Sequence, residues 1–392
     1  MTGLPGWQPL QGLRVLDFTP LLPGPFATLA LADLGADVVK IEPPAGDFAR
    51  HMPSALFRMA NRNKRSVTLD LKHAGAPGIV RRLATWADVA VEGFRPGVAD
   101  RLGIGPASLR AINPRLVCCA LSGYGQTGPA RLRPGHDGNY LAAAGALTLS
   151  GHWGEAPRRS GIPVADLAGA SYAAIAILAA IVQRAATGTG CSLDLSLAES
   201  AMSFAAIRHG LDQESPSQDH LWPTNDLFET ADGATIALGI VEEHFWHGFV
   251  AAARDLAPDL ASDDYATEPA RRHHGQALAT RLRAVIAQLS AAEWDRRFAV
   301  HDVPAQRVLT PHEASRSLQA EARGMVMERG GERHIPFPVW VDGRRGAALR
   351  STAPQTGRHT AEMMAEIGFT ATEIHTLAGA GTFGPAMIEA AL

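Results

Sequence analysis

Residues 14–42 read RVLDFTPLLPGPFATLALADLGADVVKIE. Arg14–Phe18 is short, branched and apolar, the pattern of a strand. Pro20–Pro25 makes a turn, and Phe26–Leu34 has helix composition and stops at Gly35, placed as a C-cap. Asp37–Glu42 is the next strand, ended by Pro43 and Pro44. Strand, helix and strand in succession form a βαβ unit, whose crossover is right-handed over a parallel sheet.

The pattern repeats outward from this unit. Residues 61–71 (NRNKRSVTLDL) read as a solvated polar loop over the first six positions and a strand over the next five. The competing reading makes Lys64 and Arg65 donors to the phosphates of a bound nucleotide. His73–Trp86 follows as helix, Asp88–Glu92 as strand, Pro106–Ile112 as a short helix broken by Asn113-Pro114, and Leu116–Leu121 as strand. At least five strands alternating with helices before residue 122 predict a doubly wound, Rossmann-like α/β domain. The first strand–helix junction, LLPGP, lacks the G-x-G-x-x-G fingerprint, so a nicotinamide or flavin cofactor has no support.

With 392 residues the chain is long enough for two cores. Beyond about Ser215 the composition shifts. Pro216–Thr224 reads as a linker, 227–241 as a hairpin, Pro304–Leu309 as a strand, and Arg323–Glu332 with His334–Val341 as paired strands of a small α+β domain. A hydrophobic share of 46% with 19% charged residues is globular composition. A net charge of -3 and the lack of finger, ribonucleoprotein or basic-helix patterns exclude nucleic acid as the expected partner.

Cys118, Cys119 and Cys191 offer neither metal-ligand spacing nor a disulfide framework, and the first two sit in the apolar run LVCCAL as core. MTGLPGWQPL lacks the basic patch and apolar run of a signal peptide, and the apolar Tyr172–Val182 is about half a bilayer span. A reducing, cytoplasmic location without membrane attachment is expected.

From Ser122 to Asp166 glycines, prolines and polar residues dominate, the composition of loops that carry sites. His136 and Asp137 form a step in a glycine-flanked turn, and Asp166 stands at the mouth of the small, apolar segment Leu167–Ala186. Each has a plain structural reading: His136 is one of fifteen histidines, Asp137 a turn former, and Asp166 an N-cap whose neighbouring N–H groups hold it ionised.

The combination changes that reading. GLRVLDFT, LADLGADVVKIEPPAGD, NRNKRS, LDLK, FRPGV, SGYGQTGP, RAATGTGCSLDLSL and APQTGRHTAE, in this order, resemble the family III (CaiB/BaiF) CoA-transferases, a group that also contains the 2-methylacyl-CoA racemases. The resemblance implies a large CoA-binding domain from both chain ends, 1–215 and 341–392, with a small domain, 216–340, inserted. It also implies a homodimer of interlocked subunits with each active site at the subunit interface. Lys40, Lys64, Arg65 and Arg95 fall in or near motifs that contact the CoA nucleotide or phosphates in relatives.

Two chemistries share the scaffold. In the transferases the aspartate matching Asp166 is a nucleophile that carries the acyl group as an anhydride and then CoA as a thioester. In the racemases it is an acid/base group opposite the histidine of a GHDxNY stretch, and GHDGNY stands at Gly135–Tyr140. The racemase pattern adds a glutamate after a small-domain strand, which IALGIVEEHFW places at Glu242. The long glycine-rich loop of many transferases has no counterpart beyond Gly330-Gly331.

The expectation is therefore an isomerase. It inverts C2 of a 2-methyl-branched acyl-CoA, with His136 and Asp166 as the two bases and Glu242 setting the His136 tautomer. Amides at the start of the Asp166 helix are expected to stabilise the enolate oxygen. CoA enters as part of the substrate, and no separate cofactor, metal, cysteine or serine nucleophile is required. A CoA-transferase is the alternative, and a non-catalytic acyl-CoA-binding protein the remote one.

Overall fold

The computed structural model describes residues 7–149, 151–153, 156, 158–212 and 221–384. The chain divides into two compact units, one of residues 1–144, 160–203 and 317–392, the other of 145–159 and 204–316. The expected linker lies outside the described residues over 216–220. The sequence divides near 216 and 340, whereas the units change over at 204 and 316, and the second unit also takes 145–159. Met327–Arg329 and Glu332–His334 do pair as an antiparallel ladder, but within the first unit rather than in the inserted one.

The first unit is built on six parallel strands: β1 (Arg14–Asp17), β2 (Asp37–Glu42), β3 (Lys64–Thr68), β4 (Val89–Glu92), β5 (Val117–Ser122) and β6 (Ser192–Ser196). Their spatial order is β3-β2-β1-β4-β5-β6. The order reverses between β1 and β4, so the loops after those strands leave toward opposite faces and open a crevice at the carboxyl edge. Strands covered on both sides lose the polar alternation, which is why VCCALS in β5 is buried throughout. Burial pushes the Cys118 thiol up to about 12, in keeping with its place in the core.

The helix Pro23–Asp33 ends as expected, with Gly35 in the left-handed region (φ 107°) and its N–H donating to the Ala32 carbonyl at 2.9 Å. The helix Val164–Thr187 packs on it and on β5. With 24 residues this second helix is longer than the sequence reading made it, and it is long and apolar enough to cross a membrane. One face of it packs on the first helix and the sheet, burying Ala165, Ala168, Ala173, Ile177 and Ala180, while Ile175 and Val182 are exposed. On the other face Leu16, Val39, Val67, Ile79 and Leu83 join Met363, Met364 and Phe383 in one apolar cluster. The C-terminal segment thus completes the core begun by β1, each such side chain contributing about 1.5–3 kcal/mol.

In the second unit Leu227–Glu229, Thr235–Leu238 and Ala305–Arg307 form an antiparallel sheet. Its core stacks Trp246 on Phe249 (5.8 Å between ring centroids) and Trp294 on Phe298 (5.0 Å).

Candidate functional site

A cavity of about 810 Å³ opens at the reversal point of the sheet. Its walls come from Thr19–Gly24 after β1, Gly93–Pro96 after β4, the end of β5, and the segment from Arg131 to Tyr140. His136 and Asp166 both line it. A second cavity of about 420 Å³ lies beside it over the carboxyl ends of β2 and β3, sharing Thr19, Pro20, Phe48 and Phe94.

The GHDGNY turn divides its labour residue by residue. Gly135 and Gly123 leave room for the Tyr140 ring, since a Cβ on them would stand 2.7 and 2.4 Å from it. The Tyr140 hydroxyl donates to the Gly135 carbonyl at 2.5 Å. Burial and the charge of Asp166 push that phenol up to about 12. His136 is the N-cap of the helix Asp137–Ala143, and its N–H donates to Asn139 Oδ1 at 3.0 Å. The His136 side chain is exposed and forms no ion pair among the described residues.

Asp166 corrects two expectations. The helix begins at Val164 with Pro163 as its N-cap, so Asp166 is the third helical residue and not the cap. The capping oxygen comes from Asp137, whose Oδ1 accepts from the Ala165 N–H at 2.8 Å and the Asp166 N–H at 3.4 Å. Two amides assigned to the enolate oxygen are therefore already taken. Burial, seconded by the negative charge of Asp137, pushes the Asp166 carboxyl up to about 6, where the cap reading had it firmly ionised.

Glu242 belongs to the second unit. It is the exposed N-cap of the helix Glu243–Ala252 and makes no side-chain capping bond. Its neighbour Glu243 is occupied, paired with Arg271 at 2.8 Å and accepting from the Glu268 N–H at 2.7 Å.

The basic residues separate into buried and free. Lys64 lies inside β3, not in a solvated loop. Its ammonium donates to Asp17 at 3.0 Å, to the Pro25 carbonyl at 2.9 Å and to Asn61 at 2.9 Å, which uses all three protons. Burial alone would raise the Asp17 carboxyl, yet the Lys64 and Lys40 charges and the Thr19 and Thr28 hydroxyls hold it well below the usual range. Lys40, on the wall of the second cavity, is only 1% exposed and holds the Thr19 carbonyl at 2.6 Å and Asp47 at 2.9 Å. Arg65 is bound to Asp37 and Glu366, at 2.6 and 2.7 Å, and to Glu362.

All three side chains are thus engaged by partners within the protein. Arg95 is different: it is exposed on the large cavity with no ion pair or side-chain hydrogen bond among the described residues. Lys72, exposed on the second cavity, is equally free. The sequence reading did not single it out, although LDLK places it just past the carboxyl end of β3, where ligands of such sheets bind. Glu92, buried at the end of β4, accepts from the Phe94 N–H at 2.7 Å and so fixes the loop that carries Arg95.

Comparison with known proteins places this arrangement. The chain is 31% identical to the alpha-methylacyl-CoA racemase of Homo sapiens, over 94% of this chain and 96% of that one. It is also 31% identical to the succinyl-CoA:glutarate CoA-transferase of Mus musculus (92% and 86%) and 32% identical to the acetyl-CoA:oxalate CoA-transferase of Acetobacter aceti (91% and 95%). A CAIB/BAIF family protein from Brucella suis has a similar structure, with a TM-score of 0.81 at 29% identity, covering 92% of this chain and 99% of that one. The family model for CoA-transferase family III matches residues 10–360, spanning both units and every strand of the parallel sheet, and the chain belongs to that family.

Proposed function

We propose that this enzyme inverts C2 of 2-methyl-branched acyl-CoA thioesters by proton transfer between two bases. One observation carries the reading: an imidazole, His136, and a carboxyl pushed up to about 6, Asp166, line the same cavity. A thioester acidifies its α-hydrogen, and inversion needs one group to remove that proton and another to return one to the opposite face. A carboxyl near 6 serves both ways at neutral pH. Its ionised majority removes a proton, and the small protonated fraction can return one.

The CoA moiety is assigned to the carboxyl edge of the sheet, with the adenosine in the second cavity and Lys72 and Arg95 as phosphate donors. Glu242 enters from the family pattern, as the group that sets the His136 tautomer. The same pattern extends the proposal to an interlocked homodimer, and the cysteine usage and N-terminal composition extend it to the cytoplasm.

The relatives carry a second chemistry, CoA transfer, and it uses the same Asp166 as a nucleophile. One experiment separates the two. Incubated in D2O with a 2-methylacyl-CoA and no acceptor acid, the enzyme exchanges the C2 hydrogen for deuterium, and His136→Ala and Asp166→Ala each stop the exchange. CoA transfer to a free carboxylic acid, with a hydroxylamine-sensitive intermediate at Asp166 and no C2 exchange, defeats the racemase reading in favour of the transferase. Thioester binding with neither reaction leaves a binding protein.

A further inference from the structure

The proton-transfer reading leaves one carboxylate of this region unused. Asp137 is 3% exposed and directly follows His136, yet its side chain serves another element. The helix Val164–Thr187 starts with a proline at its N-cap, which offers no side-chain oxygen to the first-turn amides. Asp137 Oδ1 supplies that oxygen from 28 and 29 residues away, to Ala165 and Asp166. Its other oxygen, Oδ2, is buried without a hydrogen-bond partner, and no cation pairs with Asp137 among the described residues.

We infer that Asp137 is a positioning residue that fixes the turn bearing Asp166 to the turn bearing His136 and sets the proton affinity of Asp166. The two roles come from its two oxygens. Oδ1 ties the first turn of one helix to the N-terminus of the other, so His136 and Asp166 cannot shift independently. The charge, which no cation pairs with among the described residues, opposes a second charge on Asp166. The other titratable and charged groups around the pair are His136 and Tyr140 at Asp137's own helix, Tyr124 after β5, Arg95 after β4, and Arg131 and Arg133 on the cavity wall before His136. None of them touches the Asp137 carboxylate in a hydrogen bond.

The inference rests on the proposed role of Asp166, so its test reads Asp166 itself as well as turnover. Asp137→Asn keeps an oxygen for the two amides and removes the charge. Asp137→Ser is a second uncharged variant with an oxygen acceptor, for use if the asparagine does not fold. NMR titration of the 13C-labelled Asp166 carboxyl in the free enzyme is expected to show the midpoint moving down by roughly half a pH unit to one unit. The acid limb of the pH–rate profile moves with it. Asp137→Ala, which also removes the cap, is expected to lower kcat about tenfold or more with little change in KM, because the turn bearing Asp166 loses its anchor.

An Asp166 midpoint unchanged in the uncharged variants overturns the inference, whatever their activity. A midpoint that moves in an enzyme catalysing neither C2 exchange nor CoA transfer upholds it, and rejects the functional proposal instead.

Discussion

Two polar stretches of the first unit look alike in sequence and differ in structure. Residues 61–65, NRNKR, and 135–140, GHDGNY, are both turn-like and both rich in groups that bind ligands. In the first, every such group is paired. Arg62 holds Asp33 at 2.6 Å and the Ile335 carbonyl at 2.8 Å. Asn63 donates to Asp33 and Ala348, and accepts from the Arg350 and Ser351 amides. Lys64 is closed around Asp17. This stretch clasps the returning C-terminal segment to the sheet.

In the second, among the described residues, His136 lines a cavity without an ion pair and Asp137 keeps an unpartnered oxygen. Buried polar groups are normally satisfied, so function is sought where they are not.

The comparison fails first at Asp166 if it fails at all. Asp166→Asn is expected to lower kcat/KM by about 10³-fold or more, within the span of general acid–base or nucleophilic loss, in whichever assay the enzyme answers. Fold stability should move the other way. The folded carboxyl holds its proton up to about 6 against an ordinary 3.8, so its contribution is full below about pH 3.8 and is lost as pH rises through 6. Asparagine cannot ionise. The variant should therefore match the wild type in acid and exceed it at pH 8, by on the order of 2–3 kcal/mol. Denaturant melts at both pH values check this, and a variant less stable at pH 8 contradicts it.

Lys64→Met probes the other stretch. It leaves the Asp17 charge buried and unpaired, at a cost of about 3–5 kcal/mol, while KM for the acyl-CoA in the protein that remains folded stays within about twofold. A raised KM with unchanged melting restores Lys64 to the phosphates. Acid should expose the same network without mutation. Asp17 and Glu42 both titrate below their usual range when folded. Their stabilisation is therefore present above about pH 4 and is lost as pH falls below it, and Lys64→Met should flatten that loss.

The parallel sheet was legible because its strands are apolar and local: β1, β2, β4 and β5 each fall within one residue or two of where the pattern puts them. β3 was misplaced because its burial is decided from afar. Lys64 and Ser66 are polar residues made compatible with a core by Asp17 and Glu42, 47 and 24 residues away. Asp166 was misread for the same reason, since its helix is capped from another helix and not by its own first residue. The sequence pairs Arg323–Glu332 with His334–Val341 in the inserted domain, whereas the ladder is Met327–Arg329 with Glu332–His334 in the first unit, because local alternation records neither the turn position nor which core a hairpin joins. Residue type was readable at every one of these positions; partnership was not.

The smallest effect is expected at the free cations, where the comparison is sharpest. Arg95 and Lys72 line the two cavities and hold no ion pair or side-chain hydrogen bond among the described residues, while Lys40, 1% exposed on the wall of the second, holds the Thr19 loop. If CoA lies along this edge, Arg95→Gln and Lys72→Gln each remove one exposed phosphate contact, of about 1 kcal/mol, and raise KM roughly fivefold with kcat and melting unchanged. Added salt should blunt the wild-type advantage over either variant, because exposed charges are screened. Lys40→Gln should instead lower melting and kcat together, since it releases the Thr19 carbonyl and with it a wall of the cavity. Equal behaviour of all three variants would mean that burial and pairing do not distinguish ligand-binding from structural cations here.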